Sequence, residues 1–238
     1  MYRHMSYPGV LFACGLMLVG GCAGTQDKSV SRLSRSEAES LNARHARFDS
    51  ADDPPFTAET HYAAGRLAES QNQIDKALQQ YAAALKIDAG HLPSLFRMGV
   101  LYARRGDYNK AIETWRTYTR RTNDDPTACA NLGFCYELAS QPAQAEAAYK
   151  RGIAKDPANQ PCRVNYGLML ARSGRIAEAT AQLQAVLPPA QVHYNLAAVH
   201  EEMGRKTEAR AEYRRAVELD PSFAEARARL AALDAEDR

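Results

Sequence analysis

The sequence has no excess of either charge: 30 Lys and Arg stand against 28 Asp and Glu, for a net charge of +2. That balance excludes the electrostatic footprint of a nucleic-acid binder or of a protein built around a polyanion. Glycine (14) and proline (11) are too few for a collagen-like or proline-rich chain. No apolar run is long enough to cross a bilayer. Tyr7 to Gly21 carries no charge, but a spanning helix needs about 20 such residues, and Gly9, Gly15, Gly20 and Gly21 weaken it further. A catalytic signature is also missing: there is no GxSxG, no HExxH, no phosphate-cradling glycine loop and no pair of carboxylates on one core face. No enzymatic activity, catalytic residue, cofactor or metal site is therefore expected. What remains is ordinary for a folded chain of 238 residues, 45% hydrophobic and 24% charged. Twelve tyrosines against one tryptophan, with alanine throughout, point to helices packed through small residues.

The first residues read as an address. Met1 to Ser6 holds Arg3 and His4 and no acid, and the short apolar run follows, so residues 1–21 are expected to be an export signal. Its end, Leu18-Val19-Gly20-Gly21-Cys22, resembles the lipobox of bacterial lipoproteins, although Val19 and Gly20 are not the commonest residues at their positions. The resemblance implies that Cys22 becomes the lipidated N-terminus, where each buried CH₂ contributes about 0.8 kcal/mol of anchoring. It also implies the outer membrane, facing the periplasm, because Ala23 stands where an Asp would favour inner-membrane retention. With Cys14 in the signal and Cys22 acylated, Cys129, Cys135 and Cys162 remain. Three is odd and none has zinc spacing, so they read as small buried hydrophobes. Residues 22–57 form a polar tether rich in serine and ending in Asp52-Asp53-Pro54-Pro55. Ser36 with Glu39 suits the start of a short helix through Phe48, and a coil of this length reaches roughly 30 Å.

Beyond the tether the chain repeats. Gly65, Gly99, Gly133 and Gly167 are spaced by 34 residues, and Ala197 follows after 30. Ala77, Ala111, Ala145, Ala179 and Ala209 keep the same spacing, and Tyr81, Trp115, Tyr149, Leu183 and Tyr213 lie four residues beyond them. This pattern resembles the tetratricopeptide repeat over residues 58–223, about 70% of the chain. The resemblance implies an all-α fold: a right-handed superhelical solenoid of helix–turn–helix units with a C-terminal capping helix. The expected units are 58–91, 92–125, 126–159, 160–189 and 190–223, with the cap at 224–238, where Leu230 and Leu233 face the array and Glu225, Arg227 and Arg229 supply polar surface. A unit cannot bury its own apolar face, so neighbours stack. The small residues should mark where the two helices of a unit come closest, with Trp115 filling the space beside the crossing. Several departures from the family pattern stand out. Asn72 and Ala89 replace the usual Gly and Pro, Tyr118 takes the place of a small residue and should open the packing locally, and Pro142 starts a second helix, which a first turn tolerates. Unit four lacks four residues and runs through Val186-Leu187-Pro188-Pro189, which should change the angle to unit five.

In this family the inner groove is lined by the first helix of each unit. The resemblance places Tyr62, Phe96, Ala130, Val164 and Tyr194 in one groove row. Beside it run Ala63, Arg97, Asn131, Asn165 and Asn195, then Arg66, Val100, Phe134, Leu168 and Ala198. Asn131, Asn165 and Asn195 form a ladder whose amides donate and accept, which suits an extended peptide backbone, although Asn there also serves simply to support the helix. Val164, Leu168, Phe134 and Tyr194 would hold side chains. Arg66, Arg97 and Arg104 gather positive charge near Tyr62 and Phe96. They read either as a solvated basic face or as a receiver for an acidic segment; with Thr127 where a Lys would stand, they do not reproduce the chaperone-type carboxylate clamp. His193 and His200, two turns or about 10 Å apart, are too distant to share one metal and read, like His61, as buried, hydrogen-bonded histidines. The lipobox, tether and repeat array together resemble the tetratricopeptide lipoprotein of tight-adherence (Flp) pilus assembly and the pilotins of type IV pili. That implies a non-enzymatic scaffold binding protein or peptide segments, among them secretin or pilus-assembly components, with the membrane reached through lipid. An adaptor that recruits envelope enzymes, such as peptidoglycan hydrolases or proteases, is the alternative.

Overall fold

The computed structural model describes residues 56–235 together with Ser36, which is helical. The export signal, Cys22 and the rest of the tether before Phe56 lie outside the described residues. Eleven α-helices and no strand occur among the described residues: α1 Ala58–Ser70, α2 Ile74–Ile87, α3 Leu92–Arg105, α4 Tyr108–Arg121, α5 Pro126–Leu138, α6 Pro142–Lys155, α7 Gln160–Arg172, α8 Ile176–Gln184, α9 Pro189–Glu202, α10 Lys206–Leu219 and α11 Ala224–Ala235. The first ten pack as five consecutive hairpins and α11 covers the last. This is the all-α solenoid that the 34-residue period leads one to expect. The first helix of each hairpin is called A here and the second B.

Local chemistry sets the ends of the A helices. Four of them open on a side chain that accepts from an otherwise unpartnered amide. Thr57 accepts from the Thr60 amide at 3.2 Å while Thr60 reciprocates at 2.8 Å. His91 Nδ1 accepts from Ser94 at 3.3 Å, Asp125 from Ala128 at 2.8 Å and Asn159 from Cys162 at 3.0 Å. In α9, Pro189 at the helix start replaces the cap with a fixed φ. Each A–B turn passes through one left-handed residue at the same repeat position: Asn72 (φ 57°), Gly106 (82°), Ser140 (58°), Gly174 (80°) and Gly204 (74°). Asn72 therefore departs from glycine in identity but not in conformation, and Ser140 does the same.

The repeat signature is a contact between the two helices of a hairpin. A Cβ added at Gly65, Gly99 or Gly133 would lie 2.5, 2.6 or 2.5 Å from the ring of Tyr81, Trp115 or Tyr149, and one at Gly167 would lie 2.9 Å from Leu183. The ring rests on the glycine itself rather than beside the crossing, which corrects the expected placement of Trp115. Ala77, Ala111, Ala145, Ala179 and Ala209 are fully buried. At the C-terminal end, Ala226 and Leu233 of α11 are buried and Leu230 packs on the same cluster, closing the array.

Part-buried polar groups then tie each odd-numbered hairpin to its successor. The Tyr81 hydroxyl donates to Glu69 at 2.9 Å, and Arg97 of α3 donates to the same carboxylate at 3.0 Å. Tyr149 donates to Glu137 at 2.5 Å, and Arg172 of α7 donates to Glu137 at 3.2 Å. Tyr213 donates to Glu201 at 2.9 Å, and Arg229 of α11 pairs with Glu201. Arg229 is thus the arginine of a third triad rather than mere polar surface. Burial first, and the neighbouring carboxylate second, push all three tyrosine hydroxyls well above their ordinary range. In the even-numbered hairpins Ala103 and Ala171 stand at the glutamate position and Trp115 and Leu183 at the tyrosine position, and the indole N–H of Trp115 is buried without a partner.

Hairpin four is short: α8 has 9 residues where the other B helices have 14. Helix α7 compensates by packing on both α5 and α9. Arg172 spans all three, reaching Glu137 of α5 and Glu202 of α9 at 3.2 Å each. A second clamp joins hairpins three and four: Glu146 accepts from Tyr166 at 2.7 Å and pairs with Arg175 at 2.9 Å and with Lys150 at 2.6 Å.

Three outcomes follow from this geometry. Ser140→Gly removes the cost of an L-residue in the left-handed region and should raise stability by about 1 kcal/mol, seen as a higher Tm in circular dichroism. Gly106→Ala, where nothing lies within 4 Å of the new Cβ, should lower Tm through φ alone. Hydrogen bonds from Lys150, Arg175 and Tyr166 depress the Glu146 carboxyl to about 2 from an ordinary 4.5. A depressed carboxylate stabilises the folded state above its unfolded pKa and loses that contribution as pH falls. Glu146→Gln should therefore lower Tm at pH 7 and flatten the Tm profile between roughly pH 5 and pH 2; parallel profiles for the two proteins would refute the clamp.

Candidate functional site

The groove rows lie on the A helices α1, α3, α5, α7 and α9, where positions i, i+1 and i+4 share one face. In the C-terminal half, α5, α7 and α9 pack side by side, so Asn131, Asn165 and Asn195 sit on three contacting helices. All three are half-buried. Asn195 turns its amide back to donate to the Gln191 carbonyl at 2.7 Å, which leaves its carbonyl oxygen for a partner. Among the described residues neither Asn131 nor Asn165 makes a side-chain hydrogen bond. Val164 and Leu168 are half-buried against the core of hairpins three to five, and Phe134 is half-buried on α5. Tyr194 meets Tyr213 edge-on and Phe223 at a tilt, with ring centroids 5.5 and 5.0 Å apart. In this half the three rows carry amides and apolar side chains and no charge.

The N-terminal half is built differently. Tyr62 packs against Tyr81 and His91, with centroids 5.7 and 5.4 Å away. Phe96 meets Trp115 edge-on at 5.1 Å and Tyr118 at 5.7 Å, with Val100 half-buried on the same cluster. The expected gathering of positive charge needs correction. Arg97 is neutralised by Glu69, so its guanidinium serves the junction between hairpins one and two. Arg66 is exposed and donates to the Tyr62 hydroxyl at 3.3 Å, and Arg104 is exposed.

The histidines divide. His61 bonds Gln80 at 2.8 Å and His193 bonds Glu212 at 2.6 Å, each joining helix A to helix B at the same repeat position. Both are only half-buried. His200 is buried, but its Nδ1 has no partner, so it departs from the expected hydrogen-bonded state. Cys129, Cys135 and Cys162 are free thiols, fully or almost fully buried, and burial pushes them up to about 11, 12 and 12. Such thiols are poor nucleophiles. Among the described residues no three His, Cys, Asp or Glu side chains gather as a metal site, and no helix is long and apolar enough to cross a membrane.

Residues missed from sequence are Glu69, Glu137 and Glu201, each twelve positions before a triad tyrosine. That spacing was available as a signal. The arginines that complete the triads keep no fixed repeat position and left none.

Residues 68–132, 139–192 and 190–223 each match a family model described as tetratricopeptide repeat. The chain is 28% identical over 118 residues to the general transcriptional corepressor ssn6 of Schizosaccharomyces pombe, and 29% identical over 83 residues to the photosystem I assembly protein Ycf3 of a Synechococcus species. These matches cover 49% and 34% of this chain but only 11% and 48% of the relatives. Among solved structures, YrrB, described as a TPR protein with an unusual peptide-binding site, matches at TM-score 0.55 and 22% identity over 77% of this chain and 94% of its own. MamA matches at TM-score 0.60 and 20% identity over 71% and 94%. A thermophilic TPR protein of Thermus thermophilus matches at 0.53 and 23% over 74% and 98%. At these identities the likeness establishes the fold. With the repeat signature, the five helical hairpins and the family matches in agreement, the chain belongs to the tetratricopeptide-repeat family.

Proposed function

We propose that this protein is a non-enzymatic, lipid-anchored scaffold of the outer membrane, facing the periplasm, that grips an extended segment of a partner protein along the uncharged rows in the C-terminal half of its groove during pilus or secretion-system assembly. Tetratricopeptide-repeat proteins generally mediate protein–protein interaction. The observation that carries the reading is the row Asn131, Asn165 and Asn195 on three contacting A helices, beside Phe134, Val164, Leu168 and Tyr194. The free amides of Asn131 and Asn165 and the free carbonyl oxygen of Asn195 match a peptide backbone, and the adjoining apolar positions take its side chains. YrrB, a relative in fold, is described as binding peptide. The anchor rests on the lipobox ending at Cys22 and the assembly role on the architecture of signal, tether and repeats. Anchoring raises the local concentration of the groove, so modest affinity suffices.

The test is crosslinking and pull-down from native membranes with mass spectrometry, comparing wild type, Cys22→Ala, and the triple variant Asn131→Ala, Asn165→Ala, Asn195→Ala. Wild type is expected to recover secretin or pilus-assembly proteins. Cys22→Ala should lose them through mislocalisation, and the triple variant should lose them with its helix content unchanged. Recovery of peptidoglycan hydrolases or proteases instead would replace the assembly role with the adaptor reading. Unchanged recovery by the triple variant would remove the groove.

A further inference from the structure

The junction of hairpins two and three opens on the side of the B helices into a cleft of about 700 Å³. The opening coincides with the one B helix whose small inward residue is replaced by an aromatic: Tyr118 stands where Ala84, Gly152 and Ala216 occupy the other full-length units, and its ring turns to meet Phe96 and Trp115. One wall is a single stripe of α4, with Asn109, Glu113, Arg116 and Arg120 at helical spacing above the buried Ile112. The other wall is Gln141, Gln144 and Arg151 at the start and along the length of α6, with Tyr136 of α5 at the base.

Three guanidinium groups thus face one carboxylate, and they are weakly committed. Among the described residues Arg116 has no ion pair or side-chain hydrogen bond. Arg120 donates only to the Thr117 hydroxyl, at 3.3 Å, and the acid paired with Arg151, Asp124, is 3.7 Å away. The remaining polar groups discriminate between anions. Asn109, Gln141 and Gln144 offer acceptors as well as donors, and Glu113 accepts only. Glu113 repels the phosphate of a headgroup and the carboxylate of a peptide alike, so the acceptors decide, and inorganic phosphate or a phosphodiester headgroup brings them few donors. A peptide carrying carboxylates supplies anions for the arginine forks and backbone N–H groups for Glu113 and the amide oxygens. We infer that this cleft is a second interaction site, which receives an acidic segment of a partner protein on the face opposite the A-helix groove. Its size falls within the range of ordinary ligand pockets, and its charge makes recognition salt-dependent.

The test uses the full chain in detergent and fluorescence anisotropy of a labelled octapeptide containing four glutamates, against the same peptide with four glutamines. The acidic peptide is expected to bind roughly tenfold more tightly or better, and the double variant Arg116→Gln, Arg120→Gln to lose that advantage. Both positions are exposed on a helix and glutamine is a good helix former, so an unchanged Tm accompanies the loss. The triple asparagine variant of the groove keeps full acidic-peptide binding, which separates failure here from failure of the groove. Equal affinity for the two peptides, or unchanged binding by the double arginine variant, overturns the inference. So does displacement of the peptide by inorganic phosphate where acetate at equal ionic strength leaves it bound. Capture by phosphatidylglycerol vesicles through these two arginines, without peptide binding, assigns the cleft to lipid and overturns it as well.

Discussion

One contact governs this fold: a large side chain of each B helix lying directly on a small residue of its A helix. With no Cβ at Gly65, Gly99 or Gly133, the ring at position 81, 115 or 149 reaches the helix backbone. That close approach fixes how the two helices cross and therefore where everything else on the A helix points. In the odd hairpins it carries the tyrosine hydroxyl to the last turn of helix A, where a glutamate waits at 2.5–2.9 Å. The carboxylate is then held by an arginine of the following helix. A part-buried carboxylate without such partners is unfavourable, and with them it becomes a staple. The even hairpins keep the intimate contact but drop the acid together with the hydroxyl, as Ala103 with Trp115 and Ala171 with Leu183 show. Local choices agree with one another at each junction, which is what a sequence with one stable fold requires.

The helical hairpins were legible because three positions recur in register through five units and each has a packing reason. The A–B turns were half legible. Glycine announces the left-handed turn at 106, 174 and 204, whereas Asn72 and Ser140 adopt it without announcing it. The triads were not read from the sequence because their arginines move: Arg97 and Arg229 occupy the sixth position of their units, but Arg172 occupies the thirteenth. Only the folded geometry shows that these different places reach the same carboxylate. The groove positions were assigned through the family resemblance, and the individual chemistry of one of them differs in the structure. Arg97 counts as a groove cation in sequence and is an internal counter-ion in the structure. The cleft escaped because its walls come from α4 and α6, which belong to different units; sequence offered only Tyr118 as a sign that the packing there would loosen.

The array presents two faces of unlike chemistry. Its groove rows in hairpins three to five carry amides and no charge, whereas the cleft between α4 and α6 is cationic and open. Neutral hydrogen bonds and apolar contacts give specificity that ionic strength hardly alters, while exposed arginines draw an opposite charge over a range set by the Debye length, about 8 Å at physiological salt. Because A helices line the one and mostly B helices the other, occupying either does not cover the other. Under the two proposals above, the cleft contributes capture and the groove contributes discrimination.

The short fourth hairpin bears on whether the groove is ready for a ligand. With only 9 residues, α8 cannot support α9 as the longer B helices support the A helices after them. Val186, Leu187 and Pro188 lead straight into α9, and α7 takes over by contacting both α5 and α9. Arg172 holds that arrangement with one guanidinium shared between Glu137 and Glu202. The three helices it joins are those that carry Asn131, Asn165 and Asn195. Their spacing is therefore set before any partner arrives, and the entropy of ordering the row falls on folding rather than on binding. The repeat that is four residues short is thus the place where one side chain, Arg172, ties together the three helices that carry the asparagine row.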